Sequence, residues 1–261
     1  MKIKQALKNI WNKILDIIFP EDFKCILCGK ELSADGYFCD DCLNEKDNMI
    51  FNLGDRCEIC DTQILPENKI CDNCKERKSH HNLYFKKCFC PLNYQGKVRS
   101  AILKLKEDNA KYLVKPFAEL IFNRLKAEKL QLDIITFVPS HKKTIRRRGY
   151  NQAKLLAEHL STLLNIPCIE LLEKNVYTKK QKKLDYNKRQ ENLKDSMRLL
   201  DKEIIKGKNI LIVDDVITTC ATINTCASLM PKAKNIYATA IARRNLNTNF
   251  TKNDQKTLGN M

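Results

Sequence analysis

Residues 210–225 read ILIVDDVITTCATINT. Four apolar residues run into two adjacent carboxylates, Asp214 and Asp215, and a hydroxyl-rich turn follows. Such a run reads as a buried parallel strand, and in open parallel sheets ligands collect at the carboxyl ends of strands. Two neighbouring acids repel each other, so a site that keeps both must offer compensation. The adjacent hydroxyls of a ribose supply it through charge-assisted hydrogen bonds, and magnesium on the same ligand supplies it as a cation. Thr218, Thr219, Cys220, Ala221 and Thr222 then lead into a helix, whose free backbone N–H groups attract an anion. The stretch reads as a site for a phosphorylated ribose.

Three other readings compete with it. A Walker-type acid pair requires a G-x-x-x-x-G-K-[ST] loop, which the chain's seven glycines do not form. A phosphoreceiver domain carries its paired acids near its start, whereas these lie near the end of theirs. A plain capped helix, with Thr218 or Thr219 as N-cap, explains a threonine and leaves Asp-Asp unexplained.

The second constellation is sulfur. CILCGKELSADGYFCDDC (25–42) and CEICDTQILPENKICDNC (57–74) share one template, C-x2-C-x10-C-x2-C, displaced by 32 residues. Cys25, Cys28, Cys39 and Cys42 form one set of four thiols, and Cys57, Cys60, Cys71 and Cys74 form the next. Four thiolates make a closed structural zinc site, so two zinc ions are expected. The spacing leaves open whether each repeat closes on itself or exchanges pairs with the other. Cys88 and Cys90 read as core or spare thiols, and His80 and His81 as surface residues. Thirteen cysteines, mostly in C-x-x-C pairs and without a secretion signal, point to metal in a reducing cytoplasm.

These residues need elements to position them. LDIITFV (132–138), NIPCIELL (165–172), NILIVDD (209–215) and NIYATAIAR (235–243) read as strands. YNQAKLLAEHLSTLL (150–164) and residues 221–230 read as helices between them. Strands alternating with helices imply an α/β fold with a mostly parallel sheet. The polar stretch 173–195 reads as a lid over phosphate or as a solvated charge run.

Residues 1–20 place Ile3, Leu7, Ile10, Trp11, Ile14, Leu15 and Ile18 on one helical face. That amphipathic helix packs on its own protein or, in the second reading, lies on a membrane surface. The expected division is therefore 1–20 helix, 21–78 double zinc ribbon, 79–248 α/β domain and 249–261 polar tail. Lys+Arg outnumber Asp+Glu by 47 to 31, a net charge of +16, which suits anionic partners. No stretch reaches the length of a membrane-spanning helix.

ILIVDDVITTCATINT resembles the diphosphate-sugar signature of the type I phosphoribosyltransferases, an apolar strand followed by D-D-V-x-T-T-G-x-T. FVPSHKKTIRRRGYNQAKLLA (137–157) is similar to a signature of one branch, the ComF-type competence proteins. TKKQKKLDYNKRQEN (178–192) and NYQGKVRSAILKLKEDN (93–109) fit the same branch, as does a leading pair of cysteine ribbons. The chain departs from the pattern twice. Cys220 stands where the phosphate loop has glycine, and Glu107 replaces the glycine of K-x-x-G-D.

The resemblance implies that Asp214 and Asp215 hold the ribose of 5-phosphoribosyl 1-diphosphate, directly or through magnesium. It implies that Thr218, Thr219, Cys220, Ala221 and Thr222 wrap its 5′-phosphate. Arg146, Arg147 and Arg148, in the loop from Ser140 to Gly149, would meet the diphosphate, with Lys182, Lys183 and Arg189 descending from the lid. The same cations would alternatively bind single-stranded DNA. The implied setting is DNA uptake in natural transformation, in the cytoplasm or peripheral at the inner membrane, with DNA-uptake proteins as partners. Two alternatives remain: an active phosphoribosyltransferase of nucleotide salvage with an unidentified acceptor, and a zinc-ribbon interaction module on a degenerate transferase fold.

Overall fold

Ile210, Leu211, Ile212 and Val213 are all buried, so this run is covered on both faces, as a central parallel strand must be. The computed structural model describes residues 24–32, 36–44, 55–175 and 196–245. Its strands are β1 (Lys87–Phe89), β2 (Leu92–Asn93), β3 (Ile134–Phe137), β4 (Leu172–Lys174), β5 (Met197–Leu199), β6 (Asn209–Ile217) and β7 (Asn235–Arg243). The main sheet runs β1-β7-β6-β3, with β2 also on β7, and every pairing is parallel. β4 and β5 form a separate antiparallel pair.

The described helices are α1 (Asp40–Asn44), α2 (Asp72–Ser79), α3 (Gly96–Glu107), α4 (Val114–Lys126), α5 (Lys142–Arg148), α6 (Gln152–Leu164) and α7 (Ala221–Ser228). α6 begins where Asn151 accepts the Ala153 N–H at 3.0 Å, an N-cap bond, and closes on Asn165 in the left-handed conformation. It packs on α4 and on the sheet at β3 and β6.

The chain divides into two compact units, Met1–Lys46 and Asp47–Met261. The first cysteine repeat belongs to one and the second to the other. Within the larger unit, Ile59 and Ile64 of the second repeat share an apolar cluster with Phe85, Ile212 and Ile217. The Cys88 N–H donates to the Ile59 carbonyl at 2.7 Å. Asp61, buried, accepts the Cys90 N–H at 2.8 Å and lies 3.6 Å from Arg56 and 4.0 Å from Arg124. The repeat is thus built into the side of the α/β fold.

Several expectations change. NIPCIELL makes a single parallel bridge, Cys168 to Ile135, and a strand starts only at Leu172. Pro167 has no N–H to donate, and the Leu171 N–H turns to the Thr136 hydroxyl at 3.3 Å. The basic stretch after Ser140 is helical, because His141 caps it through Nδ1 and Gly149, at φ 84°, ends it. β6 continues two residues past Asp215, and α7 stops at Ser228. Residues 1–20, 176–195 and 249–261, which carry the expected N-terminal helix, most of the lid and the tail, lie outside the described residues.

Candidate functional site

In each cysteine repeat the same hydrogen bonds recur 32 residues apart. Gly29 N donates to Cys25 O at 2.7 Å, and Asp61 N donates to Cys57 O at 3.0 Å. Both acceptor turns close in the left-handed region, Gly29 at φ 74° and Asp61 at φ 59°. The tight turn aims both sulfurs of a C-x-x-C pair to one side. Cys25, Cys28, Cys39 and Cys42 bring their four Sγ atoms within 4.8 Å of one another, and so do Cys57, Cys60, Cys71 and Cys74. A zinc–sulfur tetrahedron with bonds of about 2.3 Å has edges of about 3.8 Å. Cys28–Cys39 and Cys60–Cys71, each 3.6 Å apart, match that edge. Each repeat therefore closes on itself, and the two tetrads fit two zinc ions.

The acids sit in the second half of β6. Asp214 lies opposite Ala240 of β7, and its Oδ1 accepts the Asp215 N–H at 2.8 Å. Burial, and then the charge of Asp215, push the Asp214 carboxyl up to about 7, against the pull of the Asp215 N–H and Lys106. Lys106, near the end of α3, reaches Asp215 Oδ1 at 2.8 Å. The spacing of Lys106 in the sequence gives no sign of this role, because α3 lies more than a hundred residues away.

After Ile217 the chain turns through Thr218, Thr219 and Cys220 into α7, whose first residue is Ala221. Neither threonine is the N-cap. Cys220 takes that position, at φ 60° and ψ 8°, without a side-chain cap bond. This left-handed conformation is the one glycine adopts freely, and it costs a cysteine about 1–2 kcal/mol. The Cys220 side chain does not point outward; it is 3% exposed and turned against Cys60 and Cys88. Thr219 is exposed, while Thr218, Ala221 and Thr222 are half-buried. The Thr219 hydroxyl accepts the Ala221 N–H at 3.3 Å.

β3 lies beside β6 in parallel, so the stretch after β3 and the loop after β6 leave the same end of the sheet. α5 follows β3 there, with Arg146 and Arg147 exposed and Arg148 half-buried, 3.4 Å from the Gln152 side-chain oxygen. Asp214, Asp215, residues 218–222 and α5 thus share one edge. Lys182, Lys183 and Arg189 lie outside the described residues. Two further groups reach the loop, and their type and spacing do not mark them: Arg77 of α2 donates to the Thr219 carbonyl at 2.7 Å, and Arg243 of β7 donates to the Ile217 carbonyl at 3.1 Å.

Residues 14–75 match the double zinc ribbon domain, and residues 143–245 match the phosphoribosyl transferase domain. The chain thus joins a match to the double zinc ribbon domain with a match to the phosphoribosyl transferase domain, and it is similar to curated relatives over part of its length. It is 41% identical over 88 residues to Competence protein F of Haemophilus influenzae, covering 33% of this chain and 38% of that relative. It is 38% identical over 104 residues to DNA utilization protein YhgH of Escherichia coli K12, covering 39% and 44%. The matches therefore span less than half the length of either relative. A hypoxanthine phosphoribosyltransferase of Staphylococcus aureus aligns with 51% of this chain and 73% of its own at 10% identity, with a TM-score of 0.33. That likeness adds nothing to the domain matches. Among the described residues, no helix is long and apolar enough to cross a membrane.

Proposed function

We propose that this chain is a ComF-type protein, that it binds 5-phosphoribosyl 1-diphosphate with magnesium, and that it serves DNA uptake in natural transformation through single-stranded DNA. The observation that carries the first part is the shared edge: Asp214 and Asp215 on β6, the 218–222 loop after it, and α5 after neighbouring β3. In this reading the ribose hydroxyls donate to the two carboxylates once Asp214 is ionised. The 5′-phosphate accepts backbone N–H groups at the start of α7 and the hydroxyls of Thr218 and Thr222. Arg146, Arg147 and Arg148, with Lys182, Lys183 and Arg189 of the lid, meet the diphosphate or DNA phosphates, and a guanidinium fork suits either. Magnesium, when bound with the sugar, would neutralise the diphosphate and relieve the repulsion between the acids.

The transformation role rests on the likeness to Competence protein F and DNA utilization protein YhgH. The proposal includes a cytoplasmic site of action, residues 1–20 packing on the protein itself with contact to a membrane surface as the alternative, DNA-uptake proteins as partners, and the domain limits 1–20, 21–78, 79–248 and 249–261. A second reading keeps the sugar site for chemistry: an acceptor displaces diphosphate at the anomeric carbon, and the protein positions the reactants and stabilises the leaving charge.

Calorimetric titration of 5-phosphoribosyl 1-diphosphate with magnesium tests the sugar site. Wild type should bind, and Asp214→Asn/Asp215→Asn should not; a wild type that does not bind removes the reading. For DNA, Arg146→Ala/Arg147→Ala should weaken single-strand binding and flatten its salt dependence by about 1.4 in log–log slope, about 0.7 per lost phosphate contact. An unchanged slope would assign DNA to another surface.

A further inference from the structure

The second cysteine tetrad lies against the loop proposed to hold the 5′-phosphate. Arg77, three residues beyond Cys74 on α2, is 7% exposed and donates through Nη2 to the Thr219 carbonyl at 2.7 Å. Arg243, 4% exposed, donates through Nη1 to the Ile217 carbonyl at 3.1 Å, while its Nη2 lies 3.5 Å from Cys60 Sγ. These carbonyls flank Thr218 on both sides. One arginine thus comes from the ribbon's helix, and the other bridges a ribbon sulfur to the strand end. A small pocket lined by Cys71, Asp72, Cys74, Arg77, Thr219 and Arg243 lies where helix and loop meet.

We propose that the second zinc ribbon is the scaffold of the phosphate loop, and that Arg77 and Arg243 are the positioning residues that couple the two. The inference rests on the phosphoribose reading for its ligand, but the coupling itself is a property of the protein. α2 is eight residues long and buries only Cys74 and Arg77. A helix that short is not stable by itself, so it depends on the metal that Cys71 and Cys74 hold at its first turn. With metal bound, the Cys60 thiolate is a fixed negative partner for Arg243, and α2 is fixed where Arg77 meets Thr219. Without metal, both straps lose their anchor and the two carbonyls lose a charged donor each. Linkage is reciprocal, so a ligand that orders the loop also tightens the hold on the metal.

The test uses the full chain with both zinc ions bound, as wild type, Arg77→Ala and Arg77→Lys. Hydrogen exchange of the amides of residues 218–222 is measured without ligand, zinc content by mass spectrometry, and affinity by titration of 5-phosphoribosyl 1-diphosphate with magnesium. Arg77→Ala should keep two zinc ions, exchange faster within this loop, and bind the sugar about ten-fold more weakly, the worth of one charged hydrogen bond. Arg77→Lys, which keeps a cation at that place, should recover much of both losses. Loop exchange equal to wild type in Arg77→Ala overturns the coupling, whatever the sugar does. If wild type binds no sugar, the phosphoribose reading falls and the exchange result still decides the coupling. Should Arg77→Ala lose zinc or fail to fold, wild type decides alone: chelator-driven zinc release from the second tetrad should slow about ten-fold at saturating sugar, and an unchanged rate where the sugar does bind overturns the proposal.

Discussion

Asp214→Asn should make the protein more stable while abolishing its proposed ligand site. The Asp214 carboxyl is raised from 3.8 to about 7, first by burial and then by the charge of Asp215. A shift of about three units at about 1.4 kcal/mol each sets a ceiling near 4 kcal/mol. The side chain is only half-buried and keeps some water, which brings the expected gain to about 2 kcal/mol. The sign follows from linkage. The folded protein holds the Asp214 proton more tightly than the unfolded chain does, so this group's stabilising contribution is complete below the unfolded value near 4. It is lost as pH rises to about 7 and is constant above. Asparagine removes that loss, and its side-chain oxygen can still accept the Asp215 N–H. Scanning calorimetry with zinc present should place the Tm of Asp214→Asn about 4–8 °C above wild type at pH 8. The gain should be about half as large at pH 5.5. A variant less stable than wild type at pH 8, or a gain independent of pH, would refute the reasoning.

Two further outcomes follow from the same geometry. Lys106→Met leaves Asp215 without its cation at 2.8 Å, in a pair whose side chains are 18% and 17% exposed. It should cost about 1–2 kcal/mol at pH 8, less than breaking a fully buried pair, and chemical denaturation with an unchanged midpoint would sink it. Cys39→Ser and Cys71→Ser should each lower the zinc content from two ions to one, read by native mass spectrometry, because each tetrad closes within its repeat. Loss of both ions from either variant would mean that ligands are shared between repeats.

What the sequence made legible is what local pattern encodes. The apolar, β-branched runs at 209–217 and 235–243 form strands because nothing in them breaks a buried ladder. The tetrads follow from C-x-x-C turns, whose geometry is local. NIPCIELL misleads because hydropathy does not register the donor that Pro167 lacks. The basic stretch 140–149 looks like loop because its charges hide a helix that His141 and Gly149 delimit. The straps from Arg77 and Arg243 escape altogether. Arg77 and Thr219 stand 142 positions apart, and Arg243 and Cys60 stand 183 apart, so only the folded chain brings them together.

Cys220 shows why the fold matters to the function. Read as a sequence, a cysteine in a glycine position suggests a phosphate loop filled by an unwanted Cβ. In the structure the backbone keeps the left-handed turn at φ 60°, and the side chain is directed into the protein, against Cys60 and Cys88. The exposed side of the turn carries Thr219, with Thr218 and Thr222 partly accessible beside it. The substitution therefore alters the inner contact of the loop with the zinc tetrad and leaves its open side to threonines and backbone. A cysteine there is compatible with an anion site, and its strain, about 1–2 kcal/mol, is borne by a turn already fixed from beneath by two arginines. Degeneration of the transferase fold is for that reason the weaker account of Cys220, and a second ribbon placed under the loop is the stronger one.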